Sequence, residues 1–163
     1  MSQIKFVGAF VVALIFGSST SFAFDDAVAV QGMTEGKIAF DITEGNGKGL
    51  SNRLEIIDET RRSMIQQGLK PHIIIVFRGP ATKLVQTDMG KIALEDRDIA
   101  PKIAARIETL SKEVGIESIE QCSVAARELG TNPDNVVPGI KVVGNGFISL
   151  MGRQARGYAY IRP

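Results

Sequence analysis

Beyond residue 36 the apolar positions fall into two alternating rhythms, one of period two and one near 3.6. Lys37–Ile42 (KIAFDI) alternates apolar with polar and predicts a strand. Gly45-Asn46-Gly47-Lys48-Gly49 predicts a flexible loop. A helix follows, with Ser51 as N-cap, Leu54, Ile57, Arg61, Met64 and Ile65 at spacings of three and four, and Gly68 as its stop. His72–Phe77 is one His followed by five apolar residues, the pattern of a central strand buried on both faces. Arg78-Gly79-Pro80 ends it, and Ala81–Gln86 predicts a short helix.

The same alternation continues to the end of the chain. Asp98 is placed to cap a helix that carries Ile99, Ile103, Ile107, Leu110 and Val114 on one face, with Pro101 in its first turn and Gly115 at its end. Ile116–Gln121 is a strand by position, although its composition signals one weakly. Cys122 and a short helix, Ser123–Leu129, come next. Gly139–Val143 predicts a strand, Phe147–Ala155 a helix and Tyr158–Ile161 a last strand. Five strands alternating with helices predict a single α/β domain, its mostly parallel sheet covered by helices on both faces. In such sheets ligands bind beyond the carboxyl ends of the strands. Glu44–Gly49, Arg78–Ala81 and Gln121–Ser123 are the loops at that edge.

The first residues follow a different rule. Met1–Lys5 is short and basic, Phe6–Gly17 is an apolar run of 12 residues, and small polar residues lead to Ser21-Phe22-Ala23. That layout is a secretory signal peptide cut after Ala23; a membrane-spanning helix needs about 20 apolar residues. Residues 1–23 are therefore read as the signal, 24–36 as an extended leader and 37–163 as the folded domain. An uncleaved anchor is the competing reading. Removing the signal takes away Lys5 and no acid, which leaves 18 basic and 18 acidic groups, and the protein is expected in a periplasm with no membrane attachment. A balanced charge offers nothing to hold a phosphate backbone, so no nucleic-acid partner is expected. One Cys excludes an internal disulfide framework and any Cys-only metal site, and no metal is expected.

Cys122 is the principal candidate for chemistry. At a strand-to-helix junction a thiol faces the positive end of a helix dipole and unsatisfied N–H groups, which favour the thiolate. The alternative is a small buried apolar residue, the commonest fate of a free Cys. A second Cys is absent, so two-thiol redox chemistry is excluded. The only His, His72, begins a strand at the opposite edge, which disfavours a Cys–His hydrolase. Chemistry in which the thiol itself carries a group, a persulfide or mixed disulfide, remains. Arg78 and the Gly79 amide, with Ser123 beside the thiol, are candidates for holding a small anion; a solvated charge and an ordinary turn are the other reading of Arg78-Gly79-Pro80. Gly45–Gly49 lacks the spacing of a P-loop or dinucleotide fingerprint, and no cofactor is expected.

Three stretches resemble the DsrE-like (DsrE/DsrF) family: IIIVFRGPA (Ile73–Ala81), the Cys122 segment C-x-x-A-x-x-x-x-G ending at Gly130, and Pro138–Pro163, which resembles its exported branch. The resemblance spans about Lys37 to Pro163. It implies a flavodoxin-like layered fold that assembles into trimers or hexamers. It also implies sulfur carriage as a persulfide on the residue matching Cys122. Arg78 and the Gly79 amide are then expected to help hold a small anionic sulfur compound, such as thiosulfate or a polysulfide, as the donor. The rival expectation is a non-catalytic small-anion-binding or assembly module of the same fold.

Overall fold

A computed structural model describes residues 26–163. The signal segment assigned to residues 1–23 lies outside them. Of the leader, residues 27–32 form turns closed by bonds such as Ala29 N–H to the Asp26 carbonyl, and Glu35 and Gly36 already belong to the first strand.

The strands are β1 (Glu35–Ile42), β2 (Lys70–Phe77), β3 (Ile116–Cys122), β4 (Lys141–Val143) and β5 (Ala159–Ile161); the helices are α1 (Gly47–Gln66), α2 (Ala81–Leu84), α3 (Ala100–Leu110), α4 (Ser123–Glu128) and α5 (Gly146–Gln154). The sheet runs β4-β3-β2-β1-β5, and every pairing is parallel. The chain steps from β1 outward to β4 through α1 to α4, then returns over the whole sheet through α5 to reach β5. Right-handed crossovers require that return to use the opposite face. The buried clusters agree. Phe40, Ile42, Ile73, Ile75, Phe77 and Ile119 pack against α1 and α3, while Ala39, Ile74 and Val76 form a smaller cluster with Leu150 of α5. The expected single α/β domain with helices on both faces is found, with a fully parallel sheet and, among the described residues, α5 as the helix on its second face.

Five local expectations are corrected. α1 starts at Gly47, not after Ser51, because Asn46 caps it by accepting the Gly49 N–H and Asp96 accepts the Gly47 N–H at 2.8 Å. A Cβ on Gly47 would meet Asp96 and Ile99 within 2.7 Å, so the glycine serves close packing and not loop flexibility. Arg61 does lie on the buried side of α1, tied to Asp58 and Glu113, whereas Ile65 is exposed. On α3 the capping position falls to Ile99, without a side-chain bond, and Val114 lies exposed beyond the helix.

β3 is the strand whose sequence signals it least. Three of its polar residues meet a distant partner: Glu120 accepts from Ser149, Gln121 accepts from Gln86, and Glu117 binds His72 and Tyr158. These bonds offset much of the cost of burying polar groups in a sheet, although Gln121 Nε2 and Gln86 Oε1 are buried without a partner.

Candidate functional site

At the carboxyl ends of β3 and β4 the following helices part to opposite faces, α4 toward α2 and α5 across the back of the sheet. Divergence of neighbouring connections leaves a crevice at that point. It holds a cleft of about 320 Å³ lined by Arg78, Gly79, Pro80, Cys122, Val124, Ala125, Glu128, Leu129, Asn145 and Phe147.

Cys122, the last residue of β3, is 3% exposed. It occupies the N-cap position of α4 but makes no side-chain capping bond to that six-residue helix. Its sulfur instead accepts the backbone N–H of Gly146, the first residue of α5, at 3.2 Å. The amide donor thus comes from the helix after the next strand, not from the helix that follows the thiol. Asn145 fixes that turn by accepting the Phe147 N–H at 2.9 Å. A Cβ on Gly146 would lie 2.6 Å from Arg78 Cδ and 3.0 Å from Cys122 Cβ, so only glycine lets the amide approach the sulfur beside the arginine stem.

Arg78 follows β2 and turns back over the sheet. Its guanidinium donates to both carboxylate oxygens of Asp41, with Nε to Oδ1 at 2.8 Å, and its Cζ lies 4.0 Å from the centre of the Phe147 ring. Asp41 is 1% exposed and also accepts from the Tyr160 hydroxyl at 2.6 Å, so the last strand of the chain supports the arginine. Burial works against the guanidinium charge. The hydrogen bonds and charge of Asp41 outweigh it, with smaller contributions from Tyr160 and Cys122, and hold Arg78 above its ordinary value.

Arg78, Gly79 and Cys122 therefore meet at one cleft. Gly79 has a left-handed φ of 50°, which lets the chain turn at its rim. Ser123 is not part of the lining; its hydroxyl donates to the Gly144 carbonyl at 2.8 Å and so anchors the turn that carries Gly146. Glu44–Gly49 lies alongside, with the Gly45 Cα against Pro80. Asn145, Gly146 and Phe147 are the site residues that sequence reasoning missed. His72 stands at the other end of the sheet, its Nδ1 2.6 Å from Glu117. Among the described residues no group of three or more His, Cys, Asp or Glu is placed to hold a metal ion, and no helix is long and apolar enough to cross a membrane.

A model of the DsrE/DsrF-like family matches residues 29–163. An uncharacterized protein of Aquifex aeolicus (strain VF5) is 26% identical over 125 residues, 77% of this chain and 55% of its own length, so the chain spans about half of that curated relative. The solved structure of a protein of unknown function from Methanobacterium thermoautotrophicum aligns with a TM-score of 0.52 at 23% identity. That alignment covers 79% of this chain and all of the other, a likeness of fold.

Proposed function

The chain belongs to the DsrE/DsrF-like family, and from that premise we propose that it is an exported sulfur carrier that holds a persulfide on Cys122. The observation that carries this reading is the Gly146 N–H directed at the Cys122 sulfur in a cleft that Arg78 also lines. A backbone donor aimed at sulfur stabilises negative charge there without any side chain having to reorganise. In the loading step the Cys122 thiolate attacks the sulfane sulfur of a donor and forms a new S–S bond. The donor's own S–S bond breaks, and its electron pair leaves with the other fragment, sulfite in the case of thiosulfate. Thiosulfate and a polysulfide are the smallest compounds that carry such a sulfur, and Arg78 and the Gly79 amide line the cleft in which any donor must lie. Ser123 serves the same site by holding Gly144.

The export signal cut after Ala23, a periplasmic location and a trimeric or hexameric assembly belong to the same proposal. Replacing Cys122 by Ser tests its centre: sulfur loading should disappear while the melting temperature stays close to the parent's. A Ser variant that loads as well as the parent rules the proposal out.

One observation favours a second reading, a binding or assembly module with an inert thiol: Cys122 is almost fully buried. Alkylation separates the two. A thiol that reacts only in denaturant belongs to the module, and one that reacts in the native state belongs to the carrier.

A further inference from the structure

The walls of the Cys122 cleft are apolar. Pro80, Val124, Ala125, Leu129 and the Phe147 ring enclose most of its space of about 320 Å³. At about 30 Å³ per water molecule that is room for roughly ten waters, well beyond what an ion such as thiosulfate fills. Two charged side chains line the cleft, and each already has an opposite charge beside it: Arg78 is bound through two N–H groups to Asp41, and Glu128 lies 3.5 Å from Arg127. A doubly charged anion entering here gives up hydration and meets no uncompensated cation. An apolar group gives up nothing and gains burial.

We propose that the cleft selects donors whose sulfane sulfur is carried on an apolar organic group, hydropersulfides R–S–SH with R alkyl or aryl, over inorganic sulfur anions. The inference rests on the reading of Cys122 as the sulfur carrier. The R group lies against Val124, Leu129 and Phe147, with the terminal sulfur next to Cys122. The Cys122 thiolate attacks that terminal sulfur, the S–S bond of the donor breaks, and the pair leaves on R–S⁻. The leaving thiolate then takes up one proton, so the products are the Cys122 persulfide and the free thiol R–SH, with no external oxidant or reductant.

The test follows the loading rate of the full protein by intact mass. The donors are benzyl hydropersulfide released from a stable precursor, inorganic hydropolysulfide and thiosulfate, with each rate divided by that of free cysteine and the same donor. The benzyl donor should load at least about tenfold faster on this scale than either inorganic donor. Leu129→Asn, which makes the wall polar without adding a charge that would repel an anionic donor, should lower the ratio of benzyl to hydropolysulfide loading about tenfold. Phe147→Ala, at a residue 65% exposed, should shift the ratio the same way. Equal normalised rates, or variants that slow every donor alike, overturn the apolar selection and leave sulfur carriage standing. Loading by none of the three overturns both.

Discussion

The Gly146 amide and the Cys122 sulfur, 24 residues apart in the chain, meet at 3.2 Å because β3 and β4 pair in parallel with Cys122 opposite Val143. That register brings the turn after β4 level with the end of β3. Substituting Gly146 probes the contact while keeping its N–H. Gly146→Ala places a Cβ 2.6 Å from Arg78 Cδ and 3.0 Å from Cys122 Cβ. Overpacking of this kind costs about 1–3 kcal/mol, and we expect a lowered denaturation midpoint together with slower sulfur loading. An alanine variant with parental stability and loading contradicts the close approach.

The arginine is held from behind. Asp41→Asn leaves Arg78 with no carboxylate partner in a place where its side chain is 13% exposed, and breaking a largely buried pair costs about 3 kcal/mol. Tyr160→Phe removes a hydrogen bond to the same carboxylate and should cost about 1.5 kcal/mol. Urea unfolding of the two single variants and the double variant measures both. Strict additivity contradicts a shared network, because both residues act on one carboxylate.

Acid and alkaline limits of stability are set partly at the other end of the sheet. Burial pushes the Glu117 carboxyl up, but bonds from Tyr158 and His72, with the charge of Arg153, outweigh it and hold the group below its ordinary 4.5. The Tyr158 phenol is raised above 10.0 by burial first and by Glu117 next. A lowered acid adds stability above its unfolded value and loses it as pH falls through the folded one. A raised phenol adds stability below its unfolded value and loses it as pH rises through the folded one. Melting temperature should therefore be level between about pH 5 and 10 and fall on both sides. Tyr158→Phe should make the acid fall shallower, because the folded Glu117 carboxyl moves back toward its ordinary value. The alkaline fall should soften but persist, because Asp41 also raises the Tyr160 phenol. An unchanged acid limb in the variant contradicts this assignment.

What the sequence reveals and what it hides follow from how each residue is satisfied. His72–Phe77 is legible as a central strand because Ile73 to Phe77 bury completely on apolar neighbours. Ile116–Gln121 is legible as a strand only by its position, since Glu117, Glu120 and Gln121 find partners that only the folded chain supplies. Arg78, Gly79 and Cys122 are legible as neighbours in one cleft because they end or directly follow strands at the carboxyl edge of the sheet. Gly144-Asn145-Gly146 reads as an ordinary turn, and nothing local says that it ends beside the thiol. One signal was present: Gly-Asn-Gly occurs twice, at Gly45–Gly47 and Gly144–Gly146. Each time it follows a strand, the Asn caps the next helix, and the second glycine makes room for a close neighbour.

The most direct test of sulfur carriage is the intact mass of the protein after exposure to a sulfane donor, before and after reductant, with the modified peptide mapped. The account predicts a gain of one or more sulfur atoms on the Cys122 peptide that reductant removes and that Cys122→Ser abolishes. No mass gain from organic or inorganic donors, with a thiol that alkylates only after unfolding, contradicts it.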